Sequence, residues 1–430
     1  MMDRLAQDDR KLVSLRLPAG WTLAGLLAGL AAGMLLAESP AIEPVLAVAG
    51  PVGTLWLRAL QMTIIPLVAA LLVMGISQML DTARAGQAAR RTLGWIFAVL
   101  IFSGTASVIA MPLLLQAFPI PGSAQGVLGT QEIGEQVVPP IGDFIASLIA
   151  PNIFAAAAET AMLPLVIFLV LFSVAMSRIP AVQRETLLGF FHALGNAMLV
   201  IIGWVLWVAP VGVFALALGV AAKSGGGAIA ALGHYILAVS AMGAIVLVAA
   251  YLLAGLAGGQ SPLKFARAMI PAQAVALSTQ SSLASLPAML DSARRLELRE
   301  TTADFVLPLA VAIFRATSPA MNLAVAIYVA YLTGTELTPV TLAAGIAVAL
   351  VISIGSVSLP GSISFVVSIG PIALAMGVPV EPLALLVAVE MLPDIMRTIA
   401  NVTMNVAVTS AVDRAGGVVS AAESPTQLQP

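Results

Sequence analysis

Residues 387–409 read VAVEMLPDIMRTIANVTMNVAVT. The run is apolar enough to sit in a bilayer, yet Glu390, Asp394, Arg397, Asn401 and Asn405 recur in it every three or four positions. At helical periodicity these five fall within an arc of about 80°. Such a stripe is too costly to point at lipid, so it must face protein or water. Two readings of it stay open. It is a structural network in which Glu390 and Asp394 neutralise Arg397, or it is a binding site. In the second reading Arg397 captures a carboxylate bidentately and Asp394 holds an ammonium, while Asn401 and Asn405 offer oxygens to a cation or donors to a substrate.

The rest of the 430-residue chain places that helix in a membrane. It is 60% hydrophobic and only 9% charged, with a mean hydropathy of +1.04. A soluble chain carries roughly 25% charged residues, so the composition predicts an all-α polytopic membrane protein embedded in a lipid bilayer. A net charge of −2, with no basic run longer than two residues, argues against nucleic acid as a partner. The absence of cysteine excludes disulfides, Cys-ligated metals and thiol chemistry, and two histidines leave little for a metal site. No cofactor or metal is expected.

A spanning helix needs about 20 apolar residues. Apolar runs over 20–37, 52–79, 93–117, 145–176, 190–221, 230–257, 303–333 and 378–411 predict eight spans. Two further stretches, 261–290 and 340–374, are interrupted near their middles by STQSSLASLP (278–287) and SIGSVSLPGS (353–362). Apolar arms around a polar turn predict re-entrant hairpins, which survive at membrane depth only when buried in protein or lining a cavity. Fifteen of the 19 basic residues fall in segments that alternate with nearly Lys/Arg-free ones, which predicts both termini on the cytoplasmic side of the plasma membrane. Lys223 lies in one of the poor segments. Arg58, Arg315 and Arg397 lie inside apolar runs; Arg58 is read as a snorkelling residue near the outer start of its helix, and the other two sit deeper. Two opposed hairpins after similar numbers of spans have the look of an inverted repeat, a recurring plan of secondary transporters with the site near the midplane.

These residues resemble the dicarboxylate/amino acid:cation symporter family, which includes archaeal aspartate transporters and excitatory amino acid transporters. The likeness covers nearly the whole chain. WLRALQMTIIPLVAALLVMGI (56–76), APNIFAAAAETAMLPLVIFLVLF (150–172) and APVGVFAL (209–216) are similar to the family's second, fourth and fifth helices. SSLASLP (281–287) and GSVSLPG (355–361) resemble its hairpin tips, and Asp394, Arg397, Thr398 and Asn401 reproduce its last-helix signature. The resemblance implies that Arg397 binds the distal carboxylate of an acidic amino acid and Asp394 its amino group. Thr398, Asn401 and Ser318 would contact the substrate, with Ser281, Ser282, Leu359, Gly361 and Ser362 closing over it. It implies an elevator-type homotrimer with a scaffold (19–90, 145–225) and a moving transport domain (91–118, 229–412), flanked by polar tails 1–18 and 413–430.

Departures from the family pattern fall on its sodium ligands. Where the family has Asn-Met-Asp-Gly-Thr, the ungapped match is Phe314-Arg315-Ala316-Thr317-Ser318, and a further ligating Asp is Asn405. Two carboxylates are gone and one guanidinium has arrived. Hard cations need oxygen ligands, so the expectation is sodium independence with Arg315 supplying charge in place of the ion. The alternative for Arg315 is that it pairs with Asp394 or Glu390. Glu390, Asp394 and Glu159 are the evident carriers of an intramembrane proton, leaving proton coupling, exchange and uniport open, as is the choice between aspartate, glutamate and a dicarboxylate. A sodium-coupled C4-dicarboxylate symporter is the runner-up. An enzyme would need a nucleophile–base pair, and His192 and His234 lie in different spans with no acid at helical spacing. A channel would want a continuous polar path, whereas the polar residues gather in the last 150.

Overall fold

The computed structural model describes residues 19–84, 86–121, 146, 148–224, 227–355 and 361–416. All regular structure among them is helical: α1 (Ala19–Leu36), α2 (Ile42–Gln61), α3 (Ile64–Ala83), α4 (Gln87–Ala117), α5 (Ile153–Ala158), α6 (Met162–Met176), α7 (Ala181–Trp207), α8 (Ala209–Ser224), α9 (Gly227–Leu256), α10 (Pro262–Thr279), α11 (Leu286–Arg295), α12 (Glu300–Ile313), α13 (Thr317–Thr333), α14 (Pro339–Gly355), α15 (Gly361–Ala375), α16 (Glu381–Leu386) and α17 (Met391–Arg414). Five described segments are long and apolar enough to cross a membrane, among them Gln87–Ala117, Ala181–Trp207 and Ile229–Leu256. Trp204, Trp207 and Leu237 project outward, exposed, an arrangement suited to lipid rather than water. The protein is a helical, multi-pass membrane protein.

Helices α1 and α8 are joined through glycine. Gly25, Gly29 and Gly33 repeat at one-turn spacing, and a Cβ on any of them would collide with the carbonyl oxygen of Pro210, Phe214 or Leu218, also one turn apart. The two backbones therefore touch directly, the small-residue packing that helices use where lipid removes the hydrophobic drive to associate. Gly29→Val should push the pair apart and cost about 1–3 kcal/mol, as overpacking does. An unchanged melting temperature of the detergent-purified variant would contradict this packing.

The arms of the two expected hairpins pack on each other, α10 with α11 and α14 with α15. In the first, Ser261 caps α10 and Gln280 ends it in the left-handed region at φ 49°. The second tip, 356–360, lies outside the described residues and takes Leu359 with it; Gly361 and Ser362 open α15. The tails 1–18 and 417–430 and most of the loop 118–144 lie outside them too.

Several runs read as single spans are divided. The second begins at Ile42, ten residues before the expected 52, and turns at Met62–Thr63. Arg58 consequently sits in the last turn of α2, not near a helix start, where a cation complements the helix dipole. The fourth breaks between Ala158 and Met162, with Thr160 at φ 56°. The run 190–221 is the end of α7 plus α8, which starts afresh with Pro210 in its first turn. The run 303–333 breaks at Phe314–Ala316, and 378–411 turns at 387–390. One buried cluster joins α4, α9, α10, α11, α12 and α17 around Leu100, Val246, Phe265, Met289, Leu307 and Val408.

Candidate functional site

The break between α12 and α13 is held by side chains from two other helices. Phe314 is extended (φ −116°, ψ 116°) and its N–H closes α12 on Ala310 O at 2.8 Å. The Ser103 hydroxyl of α4 donates to Ala316 O at 2.6 Å and accepts from Ala320 N at 3.1 Å. The Asn401 carbonyl oxygen of α17 accepts from the N–H and the hydroxyl of Thr317, at 2.9 and 3.0 Å. Backbone groups freed in a bilayer must find such partners. Asn401 thus caps the start of α13, a role its place in the stripe did not announce.

The stripe itself meets around one guanidinium. Arg397 donates from Nη2 to Glu390 Oε1 at 2.5 Å, from Nη1 to Asn322 Oδ1 at 2.9 Å, and lies with Nε 3.1 Å from Asp394 Oδ1. Tyr235 of α9 donates its hydroxyl to Glu390 Oε2 at 3.1 Å. Asn322 in turn donates to Ser318 Oγ at 3.0 Å, and Ser353, in the first arm of the second hairpin, donates to the same oxygen at 2.8 Å. A hydrogen-bonded path therefore runs from Arg397 through α13 to the second hairpin. Glu390, Asp394 and Arg397 are the buried charged residues among those described. Arg315 is half-buried in the break, within electrostatic reach of Asp394 and Arg397.

The expected site residues divide accordingly. Glu390, Asp394, Arg397 and Ser318 come together. Thr398 is buried but bonds back to Asp394 O at 2.9 Å. The bonds of Ser281 stay inside the first hairpin's turn, with Thr279, Ala284 and Ser285. Glu159 is exposed at the α5–α6 break. His234 links helices, meeting Tyr328 at 3.2 Å and Phe118 O at 2.9 Å. Sequence reasoning missed Tyr235, Asn322 and Ser353. The first two had a signal: a lone phenol and a lone amide in apolar runs, each of which needs a partner when buried.

Asn405 is fully buried, and neither of its amide atoms has a hydrogen-bond partner among the described residues. With Phe314 and Ala316 beside the break, the three positions offer one neutral side-chain oxygen, far short of the set a hard cation takes. No group of three or more His, Asp or Glu among the described residues could hold a metal.

A helical membrane protein that buries a charged cluster beside a broken helix has the build of a membrane transporter, and the chain belongs to the sodium:dicarboxylate symporter family, whose profile matches residues 19–415. Its relatives include the proton/sodium-glutamate symport protein of Bacillus subtilis (strain 168), 26% identical over 416 residues, 94% of each chain. The proton/glutamate-aspartate symporter of Escherichia coli (strain K12) is 29% identical, covering 83% of this chain and 82% of its own. The C4-dicarboxylate transport protein of Deinococcus deserti is 25% identical, covering 82% and 80%. This is a family of transporters, not of enzymes.

Proposed function

We propose that the protein is a secondary transporter of acidic amino acids, aspartate or glutamate, that works without sodium. The observation that carries this reading is the buried Glu390–Arg397–Asp394 cluster beside a broken helix whose sodium-ligand positions hold Phe314, Ala316 and Asn405. Arg397 supplies the carboxylate partner, Asp394 the ammonium partner, and Arg315 a tethered cation that needs no ion to be recruited. Names of the relatives support the substrate class; the Escherichia coli one is named for proton coupling, the Bacillus subtilis one for proton and sodium both. A homotrimer moving by an elevator mechanism follows from the family resemblance. The packing of α4, α9, α10, α11, α12 and α13 on α17, and of α1 and α2 on α8, fits the proposed division into transport domain and scaffold. The C4-dicarboxylate relative favours the second reading, a dicarboxylate carrier, against which stands Asp394, whose negative charge would face the substrate's second carboxylate.

The test is uptake into proteoliposomes with sodium, proton and substrate gradients imposed separately. Exchanging sodium for choline at constant ionic strength should change substrate affinity by less than tenfold, about 1.4 kcal/mol. Arg315→Met should weaken binding in either salt, since it removes charge without restoring carboxylates. A steep, saturable dependence on sodium beyond tenfold would overturn the reading.

A further inference from the structure

We propose that Glu390 carries the coupled proton, one for each acidic amino acid transported, and that Tyr235 is its positioning residue. The inference rests on the transporter reading above and names the residue and the stoichiometry.

The guanidinium of Arg397 is occupied on three sides by the protein's own groups: Glu390, Asp394 and Asn322. A substrate carboxylate that docks bidentately needs two parallel N–H donors, so it must displace one of them. Asn322 is pinned from its other end by Ser318. Asp394 is the partner left for the substrate's ammonium. Glu390 remains, and it is the group whose departure the structure has provided for. It sits where the chain turns into α17, 1% exposed, with one carboxylate oxygen on Arg397 and the other on the Tyr235 hydroxyl. A phenol can accept as well as donate. A protonated Glu390 can therefore release Arg397 and still keep a hydrogen bond to the Tyr235 hydroxyl.

Charge balance gives the stoichiometry. The groups facing Glu390 are Arg397 and Asp394 from its own helix and Tyr235 from α9, with Tyr328 of α13 behind Tyr235 and Arg315 in the helix break beside Asp394. Glu390 and Asp394 against Arg397 and Arg315 sum to zero with the site empty. An acidic amino acid brings a net charge of −1 into a place where uncompensated charge is expensive. One proton on Glu390 restores neutrality; a dicarboxylate would need two. Glu159 has no part in this balance, since it is exposed.

The experiment uses the full chain in proteoliposomes with labelled aspartate, alongside Glu390→Gln and Tyr235→Phe. In the wild type, an inward proton gradient should accumulate aspartate at one proton per molecule, net flux vanishing when the aspartate gradient equals the opposing proton gradient. The aspartate Kd should rise by about tenfold per pH unit once Glu390 is deprotonated in the empty site, as one-proton linkage requires. Glu390→Gln, an isostere of the protonated form, should keep aspartate exchange and binding with a pH-independent Kd, and lose accumulation driven by the proton gradient. Tyr235→Phe should remain coupled but shift the pH dependence. Proton-driven accumulation persisting in Glu390→Gln, loss of aspartate binding by that variant in detergent, or a wild-type stoichiometry of zero or two would overturn the proposal. A wild type that moves neither aspartate nor succinate under any gradient would instead remove the transporter reading beneath it.

Discussion

Arg397→Ala is expected to abolish measurable binding of aspartate, glutamate and dicarboxylates. Removing one partner of a desolvated charge pair costs about 2–5 kcal/mol, which is roughly 30- to several-thousand-fold in Kd. The structure adds a second consequence. Arg397 bridges Glu390 at 2.5 Å and Asp394 at 3.1 Å in a buried setting, so its loss strands two carboxylates. Breaking a buried pair by deleting one member typically costs about 3–5 kcal/mol of stability, and the melting temperature should fall. Arg397→Ala combined with Glu390→Gln separates the two effects. The double variant should recover much of the lost stability, because one stranded charge is gone, and should still fail to bind, because no guanidinium remains. Calorimetric titration with aspartate and a thermal melt read both quantities on the same sample. Unchanged binding in a folded Arg397→Ala would remove Arg397 from the substrate site and leave it a structural counter-ion.

The stripe on α17 was legible because a charge pattern in an apolar run has few explanations, and its spacing survives in the structure even though α17 proper starts only at Met391. The turn of the first hairpin was legible for a similar reason: Gln280, Ser281 and Ser282 interrupt apolar arms that otherwise read as one span. The helix boundaries were much less so. The junction of α7 and α8 lies inside WVLWVAPVGVF, where hydropathy is continuous and only Pro210 marks a new start. At Phe314–Ala316 there is neither Gly nor Pro. That break is set by tertiary partners, Ser103 across 213 residues and Asn401 across 84, which no local propensity encodes. The same holds within the site. Periodicity placed Glu390 and Asp394 beside Arg397, but Tyr235, 155 residues from Glu390, and Asn322, 75 from Arg397, are brought in by the packing of α9 and α13 on α17. A helical wheel sees one helix at a time, and this site is made by three.

Asp394→Asn should separate amino acids from plain dicarboxylates. The substitution keeps volume and removes one charge, and Arg397 keeps Glu390 and Asn322, so the fold should hold. Under the proposed reading the Asp394 carboxylate is the partner of the substrate ammonium, and a hydrogen bond to a charged group contributes about 1.5–3 kcal/mol. Aspartate and glutamate should then bind roughly 10- to 150-fold more weakly. Succinate has no ammonium to lose. In the wild type its second carboxylate would lie against Asp394, so the neutral amide should leave its affinity unchanged or raise it. The ratio of succinate to aspartate affinity is the decisive quantity, because a general loosening of the site moves both ligands alike and cancels from it. Competition against labelled aspartate, repeated with each unlabelled ligand, measures that ratio directly. A rise of tenfold or more assigns the ammonium to Asp394 and the protein to amino acids. Equal losses for both ligands would mean that Asp394 serves Arg397 alone, and the dicarboxylate reading would take its place.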